Sequence, residues 1–443
     1  MIKIREKRFV EVLDKASRFY TAVFPLHYPP AASWSGITDA NWARRVWKRA
    51  LKRKTELGLY VHIPFCASIC AYCNITVRQT SSLAARAAYL KRLYAEAALY
   101  SSLFAEAEFK SVFIGGGTPN LLKPEQLKEL FEELRKNFRI AADAKITMDA
   151  SPYFLDEERL RVLTECGLNG ISLGGQSFDD NVITLANRTQ DNSAIYKTYL
   201  RARKFGIKHI NIDIMVGLPG QSPESALRDI RKAASWKPDE IFLGEFSPVN
   251  TLFAKNGGKI SPEDKEKSSK TWFKGFELLK ELGYHHKSQE PFVSLNPKAE
   301  TWRGFFPFLG NSSVLGLGLG AVSWAWRGAR YQNFDDFTRY FKSVFKGRFP
   351  INNGGLLTTR REMIHFILSG LERGWVSDAE FKTVFGESFD KRFKSHFRSL
   401  NAADAVKRKK NSWFLTDNPR AIFLCYKAFY EPDIAEKIRR RRL

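Results

Sequence analysis

The sequence predicts an α/β fold built on a partial, TIM-like (βα)6 barrel. From residue 58 onward, short runs rich in β-forming residues alternate with helix-period stretches such as PEQLKELFEELRKNF. This alternation indicates βα units around a parallel sheet. The six predicted strands are Tyr60–Ile63, Ser111–Ile114, Ile146–Ala150, Gly170–Leu173, His209–Met215 and Glu240–Phe246. In such a sheet the chemistry lies at the carboxyl ends of the strands.

The remaining chain divides into segments by composition. Residues 1–57 form a basic N-terminal extension, and residues 58–250 hold the predicted barrel. Residues 251–355 are aromatic and glycine-rich, and we expect them to complete the barrel and to bind substrate or a second cofactor. Residues 356–443 contain helical stretches, a basic turn and a short strand pair, which predicts a small winged-helix-like domain with a basic tail.

Positive charge is concentrated at both ends of the chain. There are 71 Lys and Arg residues and 47 Asp and Glu residues, a net charge of +24. Residues 1–57 carry 13 basic and 5 acidic side chains, and residues 391–443 carry 15 and 5. Such ends favour contact with an anionic surface, although solubility alone explains them equally well. There is no signal-peptide core and no apolar run of the ~18 residues that a membrane span needs, so we expect a cytoplasmic protein, with peripheral membrane association left open.

Three of the five cysteines, Cys66, Cys70 and Cys73, stand within eight residues, just after the first predicted strand. In a reducing compartment, clustered thiols indicate a metal site rather than disulfides. Structural zinc would need a fourth ligand, and no Cys or His follows closely. Three thiolates can instead hold an iron–sulfur cube that leaves one iron open. The spacing therefore predicts a 4Fe–4S cluster that activates another ligand.

The C-x3-C-x2-C motif, with Tyr72 before its last cysteine, resembles that of the radical S-adenosylmethionine superfamily. Five further segments resemble the HemN-like family of oxygen-independent coproporphyrinogen III dehydrogenases: YVHIPFC, FIGGGTPNLL, GGQSFDD, LANRTQD and NIDIMVGLPGQ. The similarity spans about residues 55–330. It implies a radical SAM partial barrel in which S-adenosylmethionine binds the open iron and is cleaved to a 5′-deoxyadenosyl radical.

The resemblance also assigns residues to these cofactors. Cys66, Cys70 and Cys73 would bind the cluster, and the glycine-rich end of the second strand would offer N–H groups to S-adenosylmethionine. Asp149 stands where the family usually has Glu, which shortens its reach by one methylene. The residues implied in cofactor binding are Tyr60, Tyr72, Gly116, Gly117, Thr118, Asp149, Gln176, Arg188 and Asp213.

Departures from the family pattern decide which activity we expect first. The porphyrin dehydrogenases carry a Cys two residues beyond the last ligand, where this chain has Ile75, and the haem-chaperone motif is reduced to Trp302. Both departures favour the branch of class C methyltransferases and cyclopropanases, which use two S-adenosylmethionine molecules. The second would lie on Gly318, Gly320 and Ala321 in SVLGLGLGAVSW, although a plain buried strand explains this segment equally well.

The expected function is therefore C-methylation or methylene transfer to an sp2 carbon. His285, His286 and Glu290 are candidates for the proton transfer that follows such an addition, although paired histidines are equally common in solvated loops. Aromatic clusters at 305–308 and 322–326 suit an aromatic, isoprenoid or tetrapyrrole substrate. The alternative is a radical enzyme that processes porphyrin or haem, or a haem chaperone. We expect flavodoxin or ferredoxin as reductant, and nucleic acid is not favoured as a partner.

Overall fold

The computed structural model describes residues 28, 34–37, 39, 41–53, 55–286, 292–296, 312–372, 374–416, 418, 421–429 and 431. The strands are β1 (Ser35–Gly36), β2 (Leu57–Ile63), β3 (Phe65–Cys66), β4 (Arg78–Gln79), β5 (Glu108–Gly116), β6 (Arg139–Ala150), β7 (Gly170–Gln176), β8 (His209–Val216), β9 (Glu240–Glu245), β10 (His285–His286), β11 (Phe292–Ser294), β12 (Ser313–Leu317), β13 (Val322–Ala325), β14 (Ala329–Asn333), β15 (Ile351–Leu356), β16 (Trp375–Ser377), β17 (Val406–Lys409) and β18 (Ser412–Leu415).

The helices follow the same chain order. They are α1 (Trp42–Leu51), α2 (Leu83–Ser101), α3 (Pro124–Asn137), α4 (Glu157–Glu165), α5 (Asp180–Leu185), α6 (Asn192–Lys204), α7 (Pro223–Ser235), α8 (Leu252–Lys255), α9 (Pro262–Glu281), α10 (Phe337–Phe345), α11 (Thr359–Glu372), α12 (Asp378–Phe385), α13 (Phe389–Arg392), α14 (Lys394–Ala402) and α15 (Ala421–Phe429).

One large sheet organises the barrel region. Its strand order is β1-β15-β14-β13-β12-β2-β5-β6-β7-β8-β9-β11-β10. The run from β12 through β2 to β9 is parallel, and its last six strands coincide with the six predicted ones. The pairs on either side of this run are antiparallel. The α/β prediction is thus confirmed, as an open sheet in the part of the chain that is described.

The parallel strands are most apolar where they are buried, as at residues 112–115 of β5 and 146–148 of β6, whereas the amino ends of both strands are partly exposed. In β2, LGLYVHI, every residue except Tyr60 is buried. The main core also takes in the apolar side of α1, where the indole N–H of Trp47 donates to the hydroxyl of Tyr331 at 2.7 Å. The carboxyl ends of these strands therefore have a rigid support.

The C-terminal segment forms a separate three-stranded sheet of order β16-β18-β17. Helix α11 precedes β16, helices α12 to α14 lie between β16 and β17, and β17 and β18 form a hairpin, which is the winged-helix element order. Its own core is rich in phenylalanine and packs against Trp324 and Trp326. Among the described helices, none is both long and apolar enough to cross a bilayer.

A buried carboxylate ties the sheet to two helices. Glu96 of α2 has no exposed surface. It accepts hydrogen bonds from the amide of Gly318 (2.8 Å), the side-chain amide of Asn333 (2.7 Å) and the hydroxyl of Tyr340 (2.6 Å). Burial raises the pKa of Glu96 to about 7, although these three donors oppose the shift. The carboxylate thus holds α2, the β12–β13 turn and α10 together.

We expect Glu96→Gln to flatten the pH dependence of stability. With a folded pKa of about 7, the unfolded chain loses this proton first, so stability falls as the pH rises from about 4.5 to 7. Between pH 5 and pH 8 the native protein should lose roughly 2–3 kcal/mol that the variant does not lose. Urea unfolding of the cluster-free protein measures the difference. Glu132→Gln, at an exposed position of α3, is the control, and equal slopes for all three proteins would contradict the prediction.

Candidate functional site

The cysteine-bearing loop leaves the carboxyl end of β2 and returns beside it. Its strands β3 and β4 pair in parallel, with Cys66 opposite Gln79, and the amide of Thr80 donates to the carbonyl of Cys66 at 3.0 Å. Between these strands the amide of Cys73 donates to the carbonyl of Cys70 at 3.1 Å. Cys66 is buried, and Cys70 and Cys73 are partly exposed. The loop is therefore closed by its own backbone and turns three thiols toward one space.

Burial favours the protonated form of two of these thiols, Cys66 and Cys73, in the absence of metal. It raises the pKa of Cys66 to about 12 and also raises the pKa of Cys73. Two polar groups lie beside the sulfurs: the hydroxyl of Thr118 is 3.6 Å from Cys66 Sγ, and Nη1 of Arg188 is 3.9 Å from Cys70 Sγ. Metal ions bind the thiolate form. Cluster binding is therefore coupled to release of these protons.

The end of β5 approaches the loop so closely that only glycine fits. A Cβ on Gly117 would lie 2.6 Å from the carbonyl oxygen of Phe65 and 2.9 Å from Cys66 Sγ. Gly116 has φ +112°, and a Cβ there would lie 2.8 Å from Cε1 of His62. A side chain at either position would push the loop away from the sheet.

The backbone amides of this strand end bind the protein itself. The N–H of Gly117 donates to Ile63 O at 2.8 Å, and the N–H of Thr118 donates to Phe65 O at 2.7 Å. We expected these N–H groups to face a ligand, whereas in the structure both donate to protein carbonyls. Both N–H groups already have acceptors, because the chain after β2 continues to pair with the end of β5. Their role in the structure is to fix β3.

Two carboxylates face the same space from neighbouring parts of the sheet. Asp149 lies near the end of β6, and Asp213 in β8 accepts hydrogen bonds from Ser172 Oγ (3.0 Å) and Asn211 Nδ2 (2.7 Å). Burial raises the pKa of Asp213 to about 6. Burial, and then the negative charge of Asp213, raise the pKa of Asp149 well above its usual range. A cationic ligand or hydroxyl donors would therefore stabilise the ionised form of both carboxylates.

Arg188 connects the cysteine loop to β7. It donates from Nη1 to the hydroxyl of Tyr72 (2.9 Å), from Nη2 to the carbonyl of Gly174 (2.8 Å) and from Nε to the side chain of Gln190 (2.7 Å). Gln176, where β7 ends, has φ +61°, a conformation that few non-glycine residues adopt. The guanidinium therefore holds the loop and places one positive charge near the two acids.

A single cavity of about 180 Å³ joins these groups. Eleven of the predicted residues line it: Cys66, Cys70, Tyr72, Cys73, Gly116, Gly117, Thr118, Asp149, Gln176, Arg188 and Asp213. Ser172 and Phe154 also line it and escaped the sequence analysis. The only sequence signal for Ser172 is a polar residue at an inward position of an apolar strand, which by itself predicts no function.

Tyr60 lies outside this lining. Its ring stacks on Phe113 with centroids 5.8 Å apart, and its hydroxyl donates to Nδ1 of His62 at 2.8 Å. Nε2 of His62 donates to the carbonyl of Thr76, just past the last cysteine, at 2.7 Å. Burial lowers the pKa of His62 to about 4, so the ring is neutral. His62 therefore supports the loop from behind.

The structure does not join Gly318, Gly320 and Ala321 to the cavity. A Cβ on Gly318 would lie 2.5 Å from the hydroxyl of Tyr89, and one on Gly320 would lie 2.9 Å from Oγ1 of Thr76. Ala321 is 1% exposed. These small residues therefore pack against protein atoms, as the buried-strand interpretation requires, and the geometry gives no support to a second cofactor there.

Of the predicted acid–base residues, His285 lies apart from the cavity. His285 in β10 pairs with Ser294, which pairs with Glu240, the first residue of β9. His285 therefore lies level with the amino ends of the parallel strands, at the opposite edge from the cysteine loop. His286 follows it in β10, and Glu290 lies outside the described residues.

The donor set fits an iron–sulfur cube better than a single ion. Within the described residues, no three His, Cys, Asp or Glu side chains lie close enough to chelate one metal ion. In a 4Fe–4S cube each thiolate binds a different iron, so the three sulfurs lie further apart than the ligands of a single metal ion. Asn211 Oδ1 is buried without a hydrogen-bond donor among the described residues, next to Asp213. The cavity thus offers both thiolates and a polar wall for an organic ligand.

We expect Gly117→Ala to reduce cluster binding sharply. The added methyl would meet the Phe65 carbonyl and Cys66 Sγ and so displace β3. Gly355→Ala is the matched control, because its Cβ would make only an ordinary 3.7 Å contact with Trp34. Iron content after anaerobic reconstitution should fall to less than about half in the first variant and stay at the native level in the second. Native iron content in both would show that β3 tolerates the displacement.

Comparison with known proteins gives consistent results. Residues 60–233 match the radical SAM superfamily. The chain is 30% identical over 334 residues to oxygen-independent coproporphyrinogen III oxidase of Salmonella typhimurium, covering 72% of this chain and 71% of that protein. It is 25% identical over 362 residues to the haem chaperone HemW of Bacillus subtilis, covering 81% and 94%.

A solved structure supports the fold. The model superposes on coproporphyrinogen III oxidase (HemN) from Escherichia coli with a TM-score of 0.80 and 24% identity, covering 94% of this chain and 98% of that one. The radical SAM fold predicted from the sequence is confirmed. The chain belongs to the HemN-like family of the radical S-adenosylmethionine superfamily, and it is a radical enzyme that uses a 4Fe–4S cluster and S-adenosylmethionine.

Proposed function

We propose that this enzyme abstracts hydrogen from a tetrapyrrole substrate of the porphyrinogen or haem type. The observation that carries the proposal is the 30% identity to an oxygen-independent coproporphyrinogen III oxidase over 71% of that protein. Methylene transfer, the first expectation from sequence, finds no support among the relatives described above, which are oxidases and a haem chaperone. The packing of Gly318 and Ala321 against protein also leaves the second cofactor without a site there.

The residues that line the cavity would have different roles in this reaction. The bound cluster and S-adenosylmethionine supply a carbon-centred radical that abstracts hydrogen. Cys66, Cys70 and Cys73 would hold the cluster on the loop fixed by β3. Asp149 and Asp213 would hold the amino and ribose groups of S-adenosylmethionine from one wall, since ionised carboxylates accept hydrogen bonds from both.

Enclosure would protect this chemistry from water. Phe154 contributes an apolar wall of the cavity, and Arg188 closes the gap between the cysteine loop and β7 through its bonds to Tyr72 and Gly174. A closed site prevents a reactive intermediate from being quenched by solvent. The opening remains at the carboxyl edge of the sheet, where Ile75 lines the cavity and is 50% exposed.

Haem chaperoning is the second candidate, and Ile75 favours it. The coproporphyrinogen oxidases that this chain resembles carry a cysteine at this position. Isoleucine cannot replace that thiol, because its side chain can neither bind a metal nor transfer a proton. The match to the haem chaperone covers 94% of that protein. The half-exposed apolar side chain at the rim suits the flat face of a tetrapyrrole in either case.

Product analysis separates these functions. With reconstituted cluster, dithionite and S-adenosylmethionine under anaerobic conditions, we expect 5′-deoxyadenosine to accumulate when coproporphyrinogen III or haem is added, with little S-adenosylhomocysteine. Cys70→Ala should abolish the product. Equal amounts of the two products would instead indicate methylene transfer. Tight haem binding with neither product would indicate the chaperone.

Binding of S-adenosylmethionine should depend on the ionisation of Asp213. Because its pKa is raised to about 6, the affinity should be about tenfold weaker at pH 5 than at pH 7.5. Asp213→Asn should bind more weakly at pH 7.5 and lose most of this pH dependence. Equilibrium dialysis with cluster-loaded protein measures both effects. Asp143→Asn, at a side chain that is 83% exposed, is the control, and a native pH profile in the Asp213 variant would contradict the assignment.

A further inference from the structure

We propose that an acidic one-electron donor protein docks on the outer side of the cluster loop. The docking surface is defined by Arg339, Lys342, Phe345 and Lys346 on or just after α10, together with Arg78 of β4 and Arg92 of α2; we call it the α10 face. The inference rests on Cys66 as a cluster ligand and is independent of the substrate. The donor would be a flavodoxin- or ferredoxin-type protein with a negative surface.

The α10 face lies beside the strand that carries Cys66. Cys66 is 8% exposed, and within the described residues the only strand that pairs with its strand β3 is β4. The amide of Arg78 donates to the carbonyl of Pro64 at 2.6 Å, and the amide of Thr80 donates to Cys66 O at 3.0 Å. Arg78 and Gln79 are exposed. A single strand thus separates this ligand from the outer surface.

Aromatic contacts make β4, α10 and α2 one continuous surface. The guanidinium of Arg78 lies over the ring of Phe337, 5.1 Å from its centroid, and Phe337 in turn lies 6.2 Å from the ring of Phe65. At the other end of α10, the guanidinium of Arg92 lies 5.1 Å from the ring centroid of Phe345. A protein seated on α10 would therefore also contact β4.

The charge of this surface is largely uncompensated. Arg339, Lys342 and Lys346 are three and four residues apart, a spacing that places them on one side of a helix, and all three are exposed. None of the three, nor Arg78 or Arg92, forms an ion pair with a carboxylate of the described residues.

Two acids lie at the start of α10. Asp335 and Asp336 are exposed, and Asp336 caps the helix by accepting from the amide of Arg339 at 2.8 Å. They reduce the positive charge but leave it in excess, because the α10 face itself carries five cations: Arg78, Arg92, Arg339, Lys342 and Lys346. The net sign therefore attracts an acidic partner.

Exposed apolar area at the centre favours a protein as the partner. Phe345 is 73% exposed and is flanked by Arg92, Lys342 and Lys346. An aromatic residue surrounded by cations suits a small, transient interface steered by charge, the kind used in electron transfer. The transfer balances simply: the donor loses one electron, the oxidised cluster gains it, and no bond forms or breaks. The cavity side of the loop would hold cofactor and substrate, so entry of the electron from outside would not interrupt the reaction.

Cluster reduction by a protein donor tests the docking surface directly. We would mix cluster-loaded enzyme with reduced flavodoxin in a stopped-flow spectrometer and follow the loss of cluster absorbance. In the triple variant Arg339→Glu, Lys342→Glu, Lys346→Glu, the second-order rate at low salt should fall by about tenfold or more. The rate for the native enzyme should fall steeply as salt is raised.

A matched variant and a chemical reductant serve as controls. Arg398→Glu, Lys409→Glu, Lys410→Glu makes the same change of charge on the C-terminal domain, at exposed positions, and should reduce the rate less than about twofold. Dithionite needs no docking surface and should reduce all three proteins equally. Lys342→Glu alone should give a smaller loss and guards against misfolding of the triple variant.

Several outcomes would overturn the proposal. Equal losses in the two triple variants would mean that only net charge matters, and a slower reaction with dithionite would mean that α10 affects the cluster itself. A native rate in the α10 variant, combined with weaker binding of a DNA duplex, would assign the surface to nucleic acid. None of these readouts requires substrate turnover, so a wrong tetrapyrrole assignment leaves the test intact.

Discussion

The close approach of β5 to the cysteine loop is the constraint on which the rest of the site depends. Two amides, of Gly117 and Thr118, hold the chain after β2 at hydrogen-bond distance, and the space left at Gly117 does not admit a Cβ. Backbone contact with the sheet therefore positions the start of the loop that carries the three predicted cluster ligands, and the side chains of Arg188 and His62 hold the rest of that loop. The site is thus as rigid as the parallel sheet that carries it.

Unfavourable electrostatic interactions are concentrated at the cavity, where the rigid backbone leaves room for a ligand. Asp149 and Asp213 line the same cavity, and their partial burial raises the pKa of both, while the charge of Arg188 is shared among three hydrogen-bond acceptors. Like-charge burial costs stability unless a ligand compensates it. Cofactor binding therefore relieves a cost that folding alone leaves in place, and perturbed carboxylates of this kind mark functional sites.

Sequence reasoning succeeded where one residue pattern permits one structure. The parallel strands were predicted from apolar runs between helices. The 4Fe–4S cluster was predicted from three closely spaced cysteines. Both patterns have few alternative explanations. At Gly318 a glycine pattern shows that a Cβ does not fit but not that Tyr89, rather than a cofactor, lies beside it. Sequence reasoning could not place His285, because nearness in sequence to the last barrel strand does not say at which end of the sheet β10 begins.

Separate faces of the loop serve cofactor and electron donor, and the fold explains why. The carboxyl ends of the parallel strands surround only the inner side of the loop, where Cys70 and Cys73 are partly exposed. On the outer side β4 pairs with β3, Arg78 of β4 lies over Phe337 of α10, and Glu96 joins α2 to α10 through Tyr340 and to the sheet through Gly318. A donor on α10 would thus meet a surface joined to the sheet by a buried carboxylate and lying beside the strand that carries Cys66.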